Sequence, residues 1–156
     1  MPDRSVHDVT EDAPSDEALR LSESGDLDGL TALLFTGDTP KLRQDAALGI
    51  GMLAGEAAIA PFIDLFSHED RDIRMAASWG LSAIGSLAAA SLAIALDDDD
   101  RQVRLWAAYT LGFTGTWREE AALQKTCHDP DPDVRRWAAW ALERIERMNR
   151  PCCSGC

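Results

Sequence analysis

Lysine is scarce in this chain: Lys41 and Lys125 are the only two, against thirteen arginines. Tyrosine occurs once, at Tyr109, and histidine three times. Long apolar runs are missing, since "AAASLAIAL" is nine residues and a membrane span needs about 18. The start of the chain lacks a charged-then-apolar leader. The expected setting is therefore cytoplasmic, without a membrane. No Gly-rich phosphate loop, Ser-His-Asp or Cys-His grouping is recognisable, and no carboxylate pair has an apolar setting to raise a pKa. Neither catalytic residues nor a cofactor are expected. His7 lies near the start, while His68 and His128 fall beside acids, where imidazoles are ordinarily solvated. The run Asp97–Asp100 lacks the spaced ligands and distal Glu of a calcium loop and reads as a solvated cap.

What the chain has is acid. Its formal net charge is -12, with Asp outnumbering Glu 18 to 9. Asp in place of Lys keeps a protein hydrated at molar salt, where repulsion is screened within ~3 Å, so the composition points to a salt-loving microbe. Such a charge repels phosphate backbones unless a local basic stripe offsets it. The arginines read as dispersed, each close to acids, and nucleic acid is excluded as a partner.

At 156 residues the chain is about one domain, and it is internally repetitive. "LRQDAALGIGML" from Leu42, "IRMAASWGLSAIG" from Ile73, "VRLWAAYTLGFTG" from Val103 and "VRRWAAWALERI" from Val134 align, with starts spaced 31, 30 and 31. Counting each first aliphatic as position 1, positions 1, 5, 8, 9 and 12 fall within an arc of about 100°, the core face of an amphipathic helix. Gly55, Gly85 and Gly115 break these helices. Second apolar segments follow ("AAIAPFIDLF", "LAAASLAIAL", "REEAALQKTC"), each ending in an acidic turn whose Asp caps the next helix. Upstream, "DEALRLSES" and "DLDGLTALLF" around Gly25 form a divergent leading pair. The expected division is a disordered acidic tail over 1–14, one all-α solenoid over 15–148 with repeats starting near 15, 38, 70, 100 and 131, and a flexible tail over 149–156.

These features resemble the HEAT repeat, in particular the short HEAT-like repeats of phycobilisome lyases with their Val-Arg-x-x-Ala-Ala-x-Ala-Leu-Gly pattern. The resemblance covers residues 38–147. It implies an α-solenoid with first helices on the convex side and second helices on the concave side. It also implies a scaffolding ladder in which Arg43, Arg74, Arg104 and Arg135 pair with Asp38, Asp70 or Asp72, Asp100, and Asp131 or Asp133. Deoxyhypusine hydroxylase resembles this architecture but needs several His-Glu pairs for iron, and only His68-Glu69 occurs here. By the same resemblance, small proteins of this kind act in signalling or motility complexes.

Cys152, Cys153 and Cys156 offer metal or thiol chemistry, the alternative to a binding role. Geometry argues against joining them to Cys127-His128 in one zinc site within the chain, which leaves metal binding in trans, a Cys153-x-x-Cys156 redox pair or a lipid for the tail. The intervening helix spans ~24 Å, and the chain from Asn149 to Cys152 returns only ~14 Å.

The most distinctive residues are aromatic. Positions 4, 7 and 11 hold Trp79 in the second copy, Trp106, Tyr109 and Phe113 in the third, and Trp137 and Trp140 in the fourth. Two readings stay open. The rings fill the groove between stacked first helices, or they form a ridge that another protein or a second copy covers, Trp and Tyr being typical interface anchors. If position 4 points toward the following repeat, the rings of the last helix have nothing to cover them. The acidic second-helix surface, with Asp64, Glu119 and Glu120, is a competing site for a basic partner. The expected function is a non-catalytic adaptor.

Overall fold

The computed structural model describes residues 14–149; the expectations for both tails, including the three terminal cysteines, lie outside them. Helices follow one another as the period predicts. The leading pair is α1 (Asp16–Ser24) and α2 (Leu27–Thr36). The first helices of the repeats are α3 (Pro40–Ala54), α5 (Arg71–Ile84), α7 (Arg101–Thr114) and α9 (Pro132–Asn149). The second helices are α4 (Ile59–Asp64), α6 (Ala89–Ala95) and α8 (Glu120–Thr126). The architecture is an all-α repeat solenoid.

Local chemistry explains the boundaries. Thr39, Asp70 and Asp100 cap α3, α5 and α7 by accepting the amides of Leu42, Asp72 and Gln102. Asp131 does the same for α9 through the amides of Asp133 and Val134. These bonds satisfy donors that a helix start leaves orphaned. Gly55 and Gly85 stop α3 and α5 at φ 54° and 76°, a backbone region that side-chain-bearing residues enter only with strain. Gly115 is different, with φ −67° and ψ 153°. It leads into a capping box, in which Thr116 accepts from the Arg118 amide and the Glu119 carboxylate takes the Thr116 amide at 2.7 Å. The second helices are shorter than their apolar segments, because 3-10 turns at Gly55–Ala58, Gly85–Ala88 and Trp117–Glu119 precede them. Joined through those turns, Pro40–Ser67 and Arg71–Ala95 are long and apolar enough to cross a membrane by length and composition. Both, however, bend at a positive-φ glycine and serve the solenoid core.

The core face is the expected one except at position 12 of the first copy, where Leu53 is 43% exposed. Ala46, Ala77, Ala107 and Ala138 at position 5 are fully buried, and Leu81 and Leu111 at position 9 are equally so. Neighbouring first helices pack side by side, α3 on α5 and α7 on α9, and glycine sets how closely. A Cβ at Gly51 would strike the Gly80 carbonyl, and one at Gly112 would strike the Trp140 ring. Both are position 10, so position 10 faces the following repeat.

Candidate interaction site

Position 4 faces the other way, toward what precedes it, while positions 7 and 11 lie along the outer edge and meet rings of both neighbouring repeats. At position 4, Asp45 is buried and accepts the Ser15 amide at 2.8 Å and the Lys41 ammonium at 2.6 Å, pinning the start of α1. Trp106 stacks on Phe66, which lies in the 3-10 turn Leu65–Ser67 just after α4, with ring centroids 6.4 Å apart. Trp137 meets Tyr109 edge-on at 4.9 Å. The last helix therefore turns its rings onto the copy before it and needs no following repeat to cover them.

Position 7 reaches both ways, Trp140 back onto the third copy and Trp79 forward onto it. Trp140 lies over Gly112, stacks on Tyr109 at 5.8 Å and 12°, and meets Phe113 at 5.4 Å. Trp79 reaches Phe113 at 6.3 Å. Arg144, at position 11, closes this cluster. Its Nε donates to the Gly112 carbonyl at 2.8 Å, and its guanidinium stands 5.1 Å from both the Phe113 and Trp140 rings, a cation-π arrangement. The six rings thus form one continuous cluster. Its members are not equally accessible: Trp106 is 6% exposed, Phe113 is 40% exposed, and Trp79, Tyr109, Trp137 and Trp140 are half-buried. Trp106 consequently contributes almost nothing to the exposed ring face. Burial raises the Tyr109 phenol pKa, with Arg144 pulling the other way.

The position-2 arginines correct the expected ladder. None of the expected pairs within the turn before each helix forms. Arg74 Nη1 instead takes the backbone carbonyls of His68 and Glu69, Arg104 Nη1 those of Asp98 and Asp99, and Arg135 Nη1 those of Asp129 and Pro130. Arg43 Nε takes the Gly37 carbonyl. The carboxylates that two of them do reach lie one turn further on, Asp70 for Arg43 at 2.6 Å and Asp129 for Arg104 at 2.8 Å. Ahead of α5, α7 and α9 the carboxylates of Asp70, Asp100 and Asp131 are occupied as helix caps, which leaves the carbonyls to the arginines; ahead of α3 the cap is Thr39, and Arg43 takes the Gly37 carbonyl all the same.

A second correction concerns charge. The arginines are spaced apart in sequence, but the solenoid register gathers Arg71, Arg74, Arg101 and Arg136 around one groove of about 420 Å³ between the N-terminal ends of α5, α7 and α9. Tyr109, Trp106 and Trp137 also line it, with Asp133 as its one acid. Arg101 binds Asp131, and its Nη2 reaches Asp133 at 2.9 Å. Hydrogen bonding to Asp131 raises the Arg101 pKa and lowers that of Asp131. Arg136 also touches Asp133, at 3.1 Å, and its guanidinium lies 5.9 Å from the Trp137 ring. The sequence carried a signal for two of these arginines: Arg71 and Arg101 are 30 residues apart, one period, so both occupy the residue two before position 1.

The competing acidic surface is reduced. Glu119 is buried and committed to its capping box, whereas Asp64 is exposed and lines a separate cleft with Asp98 and Asp100. His68 accepts the Asp70 amide at 3.0 Å and lies 6.2 Å from the Phe35 ring. The Cys127 thiol pKa is raised by burial. Among the described residues no cluster of His, Cys, Asp and Glu has a metal-holding arrangement.

Comparison with known proteins agrees with the architecture. The family described as HEAT repeats matches residues 27–111 and 88–151. A designed armadillo repeat protein solved in complex with the peptide (KR)4 is 21% identical, with a TM-score of 0.45, covering 82% of this chain and 67% of that one. An engineered protein of known structure is 20% identical, also with a TM-score of 0.45, covering 83% of this chain and 66% of its own. This chain spans about two thirds of the length of each. No curated protein matches the chain significantly.

Proposed function

The chain belongs to the HEAT repeat family, a family generally of non-catalytic scaffolds, and from that premise we propose that it is an adaptor that binds another protein through the outer edge of its first helices. The supporting observation is the ring cluster. Its inner members hold the repeats together, while Phe113, Tyr109, Trp137, Trp140 and Trp79 keep part of each ring at the surface. Half-buried rings fixed by their neighbours lose little side-chain entropy on binding, which is what makes aromatic anchors effective in interfaces. The partner is a different protein or a second copy of this chain, and the setting we favour is a cytoplasmic signalling or motility complex.

Two charge insertions test the proposal. Phe113→Glu places a carboxylate on the ring face, and Ile94→Glu places one on α6, where Ile94 is 78% exposed. Mass by light scattering and recovery of the native complex are compared, after melting curves establish that both variants fold. The proposal expects Phe113→Glu to dissociate the assembly and Ile94→Glu to leave it whole. The reverse pattern would transfer the binding face to the second helices.

A further inference from the structure

The groove between α5, α7 and α9 departs from the rest of the molecule in charge. The chain carries -12 overall, yet four arginines and one aspartate line this groove. Their donor capacity is not used up. Among the described residues, the buried side-chain nitrogens left without a hydrogen-bond partner are Arg74 Nε and Trp106 Nε1, and both residues belong to the groove lining. Buried donors are ordinarily satisfied, and orphans mark a place where an acceptor is missing. Arg71 is exposed on the groove rim, so its guanidinium can meet a ligand without first giving up a buried position.

The floor is aromatic rather than polar. Tyr109 and Trp137 meet edge-on there, offering an apolar surface between the arginines at either end. The chemistry that fits has separated anionic groups with an apolar group between them. A carboxylate meets a guanidinium through two parallel hydrogen bonds, and an arginine presented on a structured face is suited to that contact. A nucleic acid fits less well. Its phosphates continue past the groove and meet the exposed acids Asp97–Asp100, which immediately precede Arg101; a peptide with a few well-placed carboxylates avoids them. A basic segment is repelled by the groove itself.

We infer that this groove binds an acidic linear segment of a partner protein, with carboxylates at Arg71 and Arg136 and an apolar side chain resting on Tyr109 and Trp137. The inference rests on the adaptor reading and adds the partner's chemistry to it. It also places the recognition element at the N-terminal ends of the first helices, linked to Phe113 near the C-terminal end of α7 through the Tyr109 ring.

The test is fluorescence anisotropy with a labelled short peptide that carries acid pairs on both sides of a leucine. Comparison ligands are its glutamine counterpart and a single-stranded oligodeoxythymidine of equal charge. The acidic peptide is expected to bind at low salt and to weaken as salt rises, with the other two ligands at least tenfold weaker. Arg71→Glu and Arg136→Glu should each weaken it about tenfold, while Lys125→Glu, a charge reversal elsewhere on the surface, leaves it unchanged. Melting curves of each variant confirm the fold. Absence of peptide binding by the wild type overturns the inference, as does tighter binding of the oligonucleotide or an equal loss on Lys125→Glu. If Phe113→Glu dissociates the native complex but the peptide fails to bind, the adaptor reading stands and the acidic segment falls. If the peptide binds while Phe113→Glu leaves the complex whole, the groove stands and the ring-face reading falls.

Discussion

Tyr109→Ala is the substitution that most directly asks whether the rings hold the solenoid together. Tyr109 touches Trp106 at 5.5 Å, Phe113 at 5.2 Å, Trp137 at 4.9 Å and Trp140 at 5.8 Å, so its removal opens the middle of the cluster. A fully buried Phe or Trp cut to Ala costs about 3–5 kcal/mol, and Tyr109 retains partial exposure, which places it at the lower end. Ring pairs contribute about 0.5–1.5 kcal/mol each beyond area. They do not add here, because Trp137 and Trp140 still meet at 5.4 Å without Tyr109. The expected loss is therefore about 3 kcal/mol, a fall in Tm of about 6–12 °C for a chain of this size. Urea unfolding followed by circular dichroism measures it, with Tyr109→Phe as the control that keeps the ring and stays within about 0.5 kcal/mol. If Tyr109→Ala also stays within about 0.5 kcal/mol, the cluster contributes nothing to inter-repeat packing and the reasoning fails.

Other consequences follow from the same contacts. Gly51→Ala drives a methyl into the Gly80 carbonyl, a backbone atom that cannot rotate away. Overpacking of about 1–3 kcal/mol should exceed the ~1 kcal/mol that alanine gains in helix propensity, and a stabilised variant in urea unfolding would contradict the close approach of α3 and α5. Asp45→Ala removes the acceptor of the Ser15 amide and the Lys41 ammonium. It should destabilise by about 1–3 kcal/mol and deprotect the amides of α1 in hydrogen exchange, and unchanged protection there would refute the pinning role. Acid should weaken the fold through Asp70 and Asp131, whose pKa values are lowered beneath the ordinary 3.8 chiefly by hydrogen bonds from Arg43 and Arg101. Since the folded-state values lie below the unfolded ones, that stabilisation is complete above about pH 4 and lost as pH falls through the lowered values. Denaturation midpoints of the wild type should fall below that pH more steeply than those of Asp70→Asn/Asp131→Asn, and equal slopes would contradict the pairing.

The fold was legible because it repeats. Four in-phase copies fix the helix starts, the glycine stops and the alanine core at position 5, and all reappear in space. Direction was harder to read. Nothing in the period says whether position 4 faces the preceding or the following helix; that depends on which edge carries the small residue. Gly51 and Gly112 at position 10 held that information, since a missing side chain marks where the next helix comes closest, at the Gly80 carbonyl in one case and the Trp140 ring in the other. The arginine ladder misled for a similar reason. Ahead of α5, α7 and α9 the nearby aspartates were already engaged as helix caps, so Arg74, Arg104 and Arg135 turned to backbone carbonyls, as Arg43 also did beside the Thr39 cap. The groove escaped notice because its arginines come from three helices and adjoin only in the stacked register.

Oxidative footprinting by hydroxyl radicals, applied to the protein alone and in its native complex, tests the central claim most directly. Free protein should show Trp117, 64% exposed, as the most reactive tryptophan and Trp106 as the least, with Phe113, Tyr109 and Trp137 between them. In the complex, Phe113, Tyr109 and Trp137 should become protected while Leu87 and Ile94 on the second-helix side keep their reactivity. Protection of Leu87 and Ile94 with unchanged reactivity at Phe113 and Trp137 would contradict the account and assign binding to the opposite face.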